Sequence, residues 1–340
     1  MFRAALVLML AGSMLVGQTG NPDAMAQASL GVDQAAKANY RGAIQAYKRA
    51  IAIDPNMPGI YLNLGLAWFK LGNFQAAIAA FDNEKVKAPS DRVATLLAMS
   101  YFGLGQYREA AERLKPIVSA QASNAELSYL LAKCYLWSGQ YSEAMDLFNG
   151  LLSRDPNSVA VHMLLGEALD ASYRTTEAIA EFEAAAKAGP TQPNVHFGLG
   201  YLYWKQKRYG DAERQFHEEL LNDSKNAQAL AYLGDTAMKA ERKEEAVELL
   251  NRSIQLRPDL RLAHVDLGVL YADGNHYNAA IAEFRQAIKI DPTSFDAHYR
   301  LARVYKDLGR TVEAREQFAI VQTLHERKTE EPLMKISGPH

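Results

Sequence analysis

An alanine recurs at a fixed interval through almost the whole chain of 340 residues. Every step between neighbouring alanines is 34 residues, except one of 33 residues between Ala77 and Ala110. The nine positions are Ala43, Ala77, Ala110, Ala144, Ala178, Ala212, Ala246, Ala280 and Ala314. A sustained period of this length is typical of a solenoid, in which each unit packs only on its neighbours. It favours a chain that presents surfaces to partners, and it leaves no room for a separate catalytic domain.

Other residue types recur in step with the alanines. In the second unit, Leu64 and Gly65 precede Ala77 by 13 and 12 residues, and Phe81 follows it by four. Spacings of three and four residues are the periodicity of helices, not of strands. Gly72 lies between the two periodic segments, where a turn is needed. Each unit is therefore predicted to be a pair of antiparallel helices that cross most closely at the small residues, with the aromatic side chains filling the gaps beside the crossing.

The pattern closely resembles the tetratricopeptide repeat family. The residues that carry the resemblance in the second unit are Leu64, Gly65, Trp68, Gly72, Phe74, Ala77, Phe81 and Pro89. About nine such units span residues 24–328. The resemblance implies an all-α fold, an α-solenoid in which antiparallel helix pairs form a right-handed superhelix. It also implies that the first helix of each pair lines a concave groove and that the second faces outward.

Several positions depart from the repeat pattern. Pro116 lies inside the second helix of the third unit, where a proline removes a backbone donor, so we expect a kinked or shortened helix. Glu84 and Glu219 occupy a column that otherwise holds small or apolar residues. The sequence 241–243 replaces the usual glycine-containing turn. We expect these changes to alter local geometry without changing the fold.

The N-terminal segment resembles a secretory signal peptide. Arg3 precedes an uncharged run over residues 4–16, which has the length of a signal-peptide core and is too short to span a bilayer. Ala24, Met25 and Ala26 form a candidate cleavage site, so residues 1–26 are predicted to be the signal peptide. The alternatives are cleavage between residues 17 and 20, and retention of the segment as an anchor, which is the one membrane contact the sequence predicts. An exported protein of the periplasm or cell envelope is expected, with secretion as the alternative.

Charge and cysteine usage limit the function classes further. The chain carries 37 basic and 39 acidic residues, a net charge of −2, which argues against nucleic acid as a partner. The single cysteine, Cys134, is interpreted as a small buried residue of a first helix. Residues 329–340 are predicted to be a flexible tail, with the further hypothesis that Leu333, Met334 and Ile336 cap the last unit.

A search for catalytic and ligand-binding motifs predicts no catalytic residue, no cofactor site and no metal site. The chain contains no phosphate-binding glycine loop, no G-x-S-x-G elbow, no H-E-x-x-H and no C-x-x-C pair. One column of histidines is interpreted as structural side chains that pack across each helix pair: His162, His196, His264 and His298. The acidic side chains of Glu167, Asp170 and Asp235 are interpreted as a solvated face. The chain is accordingly predicted not to be an enzyme.

The candidate functional surface is the groove formed by the first helices, whose middle is aromatic with charges of both signs. Tyrosine, tryptophan and arginine are enriched where proteins bind each other. The predicted partner-binding residues are Phe102, Tyr129, Lys133, Trp137, Glu167, Asp170, Phe197, Tyr201, Trp204, Lys205 and Asp235. The favoured function is an interaction scaffold that holds a peptide or a partner's helix, in an assembly, secretion or biogenesis complex. The alternative is a glycan-binding module, in which these rings stack on the sugars of an exported polysaccharide or the cell wall.

Overall fold

The computed structural model describes residues 21–83 and 90–324, and within them it contains helices and turns but no strand. The chain divides into two compact units, with the boundary between Pro156 and Asn157. Each unit is a succession of antiparallel helix pairs, in which every helix packs on the one before and the one after it. The all-α fold and the α-solenoid of helix pairs are confirmed.

The first unit contains eight helices among its described residues. They are α1 (Pro22–Ala36), α2 (Tyr40–Ile53), α3 (Ile60–Lys70), α4 (Phe74–Asp82), α5 (Asp91–Gly103), α6 (Tyr107–Ala120), α7 (Ala125–Trp137) and α8 (Tyr141–Leu152). Odd-numbered helices are the first helices of the repeats, and even-numbered helices are the second. Asparagine side chains cap many of them, as at Asn39, Asn73 and Asn124, each of which accepts a hydrogen bond from a backbone N–H of the first turn.

The second unit contains ten helices among residues 157–324 and follows the same alternation. They are α9 (Val159–Ala171), α10 (Thr175–Ala188), α11 (Val195–Lys205), α12 (Tyr209–Asn222), α13 (Ala227–Lys239), α14 (Lys243–Leu256), α15 (Arg261–Asp273), α16 (Tyr277–Ile290), α17 (Phe295–Asp307) and α18 (Thr311–Leu324). The first helices α11, α13, α15 and α17 also contact one another in succession. Their side chains therefore form one continuous surface within this unit.

The repeating residues form the core, as the periodicity predicts. The nine alanines of the 34-residue column are all buried, with at most 5% of their surface exposed. A Cβ atom added to Gly166 or Gly200 would lie 2.6 or 2.7 Å from the ring of Phe182 or Phe216. At these two crossings a side chain would displace the aromatic ring, which explains why small and aromatic residues recur together.

In the described residues, each of the nine turns within a helix pair places one residue in the left-handed backbone region. Four of these residues are glycines, with φ of 73–80°. The other five are Ala38, Tyr173, Lys207, Glu241 and Asn275, with φ of 57–61°. The turn at residues 241–243 therefore has the backbone of the glycine turns, although a side chain at such φ costs about 1–2 kcal/mol.

The expectation for Pro116 is wrong in one respect: the helix is not shortened. The proline lies inside α6, which runs over 14 residues like most of the second helices of the second unit. Pro116 is on the exposed side of the helix. The carbonyl that loses its hydrogen bond to the proline nitrogen can be solvated there, so the helix continues through it.

The N-terminal helix includes the candidate cleavage site. The helix α1 begins at Pro22, and the Asn21 side chain accepts a hydrogen bond from the backbone of Asp23 at 2.9 Å. Ala24 is fully buried in the core that α1 forms with α2 and α3. The apolar run at residues 4–16, Glu84 and the tail at residues 329–340 lie outside the described residues. Across residues 21–83 and 90–324, no helix has the length and apolarity to cross a bilayer.

Candidate functional site

In the first unit, three half-buried aromatic rings surround the ammonium group of Lys133. Its Nζ lies 4.5 Å from the ring centroid of Trp137, 5.4 Å from that of Phe102 and 5.7 Å from that of Tyr129. The four residues lie on the neighbouring first helices α5 and α7. We call them the Lys133 cluster. The structure thus brings together the four predicted groove residues of this unit, and attraction between the ammonium and the rings fixes their arrangement.

The indole ring of Trp137 packs against two other rings, but its buried N–H group makes no hydrogen bond within the described residues. Its ring lies 5.2 Å from Phe102 and 5.1 Å from Tyr107, centroid to centroid. Its Nε1 is buried and finds no hydrogen-bond acceptor in the part of the chain that the structure describes. A buried donor without an acceptor costs about 1–3 kcal/mol. A ligand carbonyl that reached this N–H would recover that energy.

In the second unit, an aromatic group joins two neighbouring first helices. Tyr201 and Trp204 on α11 stack with their centroids 6.0 Å apart, and Tyr232 on α13 packs edge-on against both, at 5.5 and 5.0 Å. All three side chains are half-buried. The indole Nε1 of Trp204 donates a hydrogen bond of 2.6 Å to Asp235. We call these four residues the Trp204 cluster; Tyr232 was not predicted.

Phe197 belongs to the core of the second unit rather than to its surface. Only 2% of it is exposed, and its ring packs against Phe216 at 5.9 Å and Tyr232 at 5.7 Å. Its placement in a partner-facing groove is therefore wrong. Phe197 lies on its first helix next to the positions that face the surface. Its side chain therefore points between two helix pairs rather than away from them.

The interpretation of Glu167, Asp170 and Asp235 as a solvated face is also wrong, because all three are buried. The carboxylate of Asp170 is covered by Lys205 of the next first helix, whose Nζ lies 3.2 and 3.4 Å from its two oxygens. Thr175 donates a further hydrogen bond to it. First helices pack side by side here, so a charged residue on this face is enclosed by the next repeat.

Asp235 links the aromatic group to a basic side chain. Its Oδ2 accepts the hydrogen bond from Trp204, and its Oδ1 lies 3.4 Å from the Nζ of Lys239, one turn along α13. The carboxylate is thus held by a charged and a neutral donor while only 2% of the residue is exposed. It fixes the plane of the indole ring, which makes the Trp204 cluster a rigid surface.

Asp266 on α15 lies beside this group and was missed at the level of sequence. It is 5% exposed, and its Oδ2 is buried with no hydrogen-bond donor in the described part of the chain. Burial raises the pKa of Asp266 well above its usual value, and the nearby charge of Asp235 raises it further. The repeat pattern did not indicate it, because the equivalent position one repeat earlier holds Tyr232 rather than an acid.

The histidine column has the structural role that the sequence predicts. Each Nδ1 makes a hydrogen bond across its helix pair, to a residue 19 positions later. The partners are Glu181, Gln215, Glu283 and Gln317 for His162, His196, His264 and His298. No group of three metal-ligating side chains occurs in the described residues. Cys134 is fully buried, and burial raises the pKa of its thiol to about 12, so it stays protonated.

Four family models match five stretches of the chain. Those described as tetratricopeptide repeat match residues 101–168, 197–260 and 296–325, and one described as TPR repeat matches residues 36–72 and 270–309. Together these stretches cover more than half of the chain. One curated relative is the Small glutamine-rich tetratricopeptide repeat-containing protein 2 of Mycosarcoma maydis, 32% identical over 90 residues. That match covers 26% of this chain and 26% of the relative.

Two solved structures share the fold. The APC/C hetero-tetramer Cut9–Hcn1 is similar over 84% of this chain and 57% of its own, with 16% identity and a TM-score of 0.59. The C-terminal part of a TPR repeat-containing protein from Cytophaga hutchinsonii is similar over 70% of this chain and 98% of its own, with 20% identity and a TM-score of 0.51. Identities this low show similarity of fold alone.

Proposed function

Because this chain belongs to the tetratricopeptide repeat family, we propose that it is an exported, non-enzymatic scaffold that binds a peptide or a partner's helix along its first helices. Its setting would be an assembly, secretion or biogenesis complex of the cell envelope. The family and the fold fit a protein-interaction scaffold. The binding surface, the export and the cellular setting are our proposal.

The observation that carries the proposal is the Trp204 cluster. Three half-buried rings are held by one another, and the indole is held by Asp235 at 2.6 Å. Rings that are already ordered lose little conformational entropy when a partner covers them, so their remaining apolar surface is available for binding. Binding hot spots are rich in aromatic side chains of this kind, and truncating one of them costs about 2 kcal/mol or more of binding free energy.

The charges around the cluster would set the register of a bound chain. Lys205 and Lys239 both neutralise acids of their own unit, and 43% of the Lys239 side chain stays exposed. Charges at the edge of a binding surface change association rates and select partners more than they add affinity. The Lys133 cluster supplies a second, independent apolar surface in the first unit.

The N-terminal sequence supports export, and the position of the first helix bears on where the signal peptide is cleaved. Cleavage after Ala26 would remove the cap and the first turn of α1, including Ala24, which is fully buried. Cleavage before Asn21 would leave the whole helix intact. We therefore propose that processing occurs within residues 17–20. Mass spectrometry of the protein from the envelope fraction would give its first residue, and a mature chain beginning at residue 27 would contradict this site.

The proposed binding is tested by crosslinking and capture from the native envelope. We expect a variant with Trp137→Ala and Trp204→Ala to lose its prey while keeping the helical circular dichroism of the wild type. Tyr173→Ala is the matched control, because Tyr173 is an aromatic residue that lies in a turn and is 83% exposed. Since Trp204→Ala also removes the donor to Asp235, Tyr201→Ala serves as a milder variant of the same surface.

The outcomes separate the candidate functions. Loss of the same proteins with the tryptophan and Tyr201 variants, but not with Tyr173→Ala, supports the scaffold and identifies its partner. Unchanged prey would place binding elsewhere on the molecule. Capture of polysaccharide instead of protein, with an affinity that salt does not change, would favour the glycan-binding alternative, because stacking on neutral sugars is not screened by salt.

A further inference from the structure

The side chains around Asp266 contain more acids than bases. The charges that act on Asp266 come from the two neighbouring first helices: Asp235 and Lys239 on α13, and Asp296 and Arg300 on α17. With Asp266 itself, three carboxylates face two cations. The two cations are already engaged, since Lys239 lies 3.4 Å from Asp235 and the Nε of Arg300 lies 2.9 Å from Asp296. Asp266 is the acid that is left over.

The surroundings of Asp266 make this imbalance costly. Its Oδ2 is buried although 5% of the residue is exposed, and no donor in the described part of the chain reaches it. An ionised carboxylate in such a place is unstable without a counter-charge, which favours the protonated form of Asp266 in the unliganded protein. A buried polar atom without a partner is rare in native proteins, and a functional role or a bound ion is among its explanations.

We infer that Asp235 and Asp266 form a binding site for one cationic side chain, an arginine or a lysine, of the protein partner. The inference rests on the proposed function and names the chemistry of what is bound. A guanidinium or ammonium group would supply the missing cation and the missing hydrogen-bond donor together. Trp204 and Tyr232, which border Asp235, would cover the apolar part of the side chain and attract its charge.

Binding at this site displaces a proton. The ligand's cation favours the ionised form of Asp266, so the proton that neutralised it leaves to solvent as the cation enters. Affinity should therefore increase with rising pH. The same charge exchange explains how the site can stay neutral in the resting protein and still recognise a cation.

The test follows the indole N–H of Trp204 by nuclear magnetic resonance in the full chain. The chain has three tryptophans, so three indole signals are expected, and this one reports directly on Asp235. The probe is N-acetyl-arginine amide, and its neutral analogue is N-acetyl-citrulline amide. We expect the arginine probe alone to shift the signal, with an affinity that increases with rising pH. Equal shifts with both probes would overturn the inference.

Two substitutions complete the test. Asp266→Asn preserves shape and mimics the neutral acid, so the fold should survive while affinity falls about ten-fold or more, which corresponds to one hydrogen bond to a charged group. Asp273→Asn on the same helix removes an exposed charge of the same sign and should leave affinity unchanged. Wild-type affinity in Asp266→Asn, or an equal loss in Asp273→Asn, would refute the site.

A failure of the cation site can be distinguished from a failure of the proposed scaffold by comparing this test with the crosslinking and capture experiment. If the arginine probe does not bind while the tryptophan variants lose their prey, the cation site fails and the proposed scaffold stands. If the probe binds as expected while those variants retain every captured protein, the aromatic binding surface fails and the cation site stands.

Discussion

Glu219 is a buried carboxylate that takes the place of a helix cap. It lies on α12 and accepts hydrogen bonds from the backbone N–H of Asn194 at 2.9 Å, from that of Phe197 at 3.1 Å and from the side chain of Asn226 at 3.1 Å. Asn194 is at the start of α11 in the left-handed region, with φ of 66°, and its own side chain makes no cap. The carboxylate therefore satisfies the helix end and complements its positive dipole.

We expect Glu219→Ala to destabilise the second unit by about 3–5 kcal/mol. Two backbone donors would be stranded, at about 1–3 kcal/mol each. The lost interaction with the helix end adds about 0.3–1 kcal/mol, and release of a buried charge offsets part of the total. Glu219→Gln should lose roughly half as much, because its amide keeps one acceptor and turns a donor toward an N–H group.

Hydrogen exchange is the appropriate measurement, because repeat arrays do not always unfold in one step. Protection of the segment over residues 194–205 should fall in Glu219→Ala and remain unchanged in Glu218→Ala, which alters an exposed neighbour on the same helix. A loss below about 1 kcal/mol in Glu219→Ala would show that water replaces the carboxylate, and the reasoning from stranded donors would be refuted.

Three further predictions concern the turns, the crossings and one histidine. Lys207→Gly should stabilise the protein by about 0.5–1 kcal/mol in urea unfolding, because it relieves a left-handed side chain, whereas Lys207→Ala should not. Ala178→Leu should cost about 1–3 kcal/mol by overpacking a closed crossing, and a neutral result would contradict the helix pairing. The hydrogen bond to Glu283 raises the pKa of His264, so its stabilisation is full below the unfolded pKa of about 6.5 and disappears as the pH rises through the folded value. The stability difference between wild type and Glu283→Gln should accordingly shrink with rising pH.

The fold could be predicted from the sequence because the same pattern of residues recurs from repeat to repeat. One leucine, one small residue, one alanine and one large apolar residue occur at the same distance in unit after unit, and the structure buries the alanine column throughout. The turns were predicted only where glycine marks them. Tyr173, Lys207 and Glu241 adopt the same backbone without a residue that favours it, because the packing of the two helices on either side determines the turn.

The candidate site was predicted less well, because its residues do not repeat. Asp170, Asp235 and Asp266 occupy helix positions whose neighbours belong to the next repeat, so the 3.6-residue period of one helix says nothing about what covers them. Whether a charge at such a position is solvated or buried depends on the side chains that the first helix of the next repeat supplies. For Asp170, that helix supplies Lys205; for Asp266, the neighbouring helices leave one oxygen enclosed without a donor.

The difference between the repeating core positions and the buried acidic positions bears on function. The repeating positions of the second unit are apolar and closely packed, and they are sufficient to hold the helix pairs together. Asp266 adds nothing to that packing, and a buried carboxyl without a donor lowers the free energy of unfolding. A first-helix residue that costs stability, beside an aromatic cluster held rigid by Asp235, is expected where a surface is built to receive a ligand rather than to close on itself.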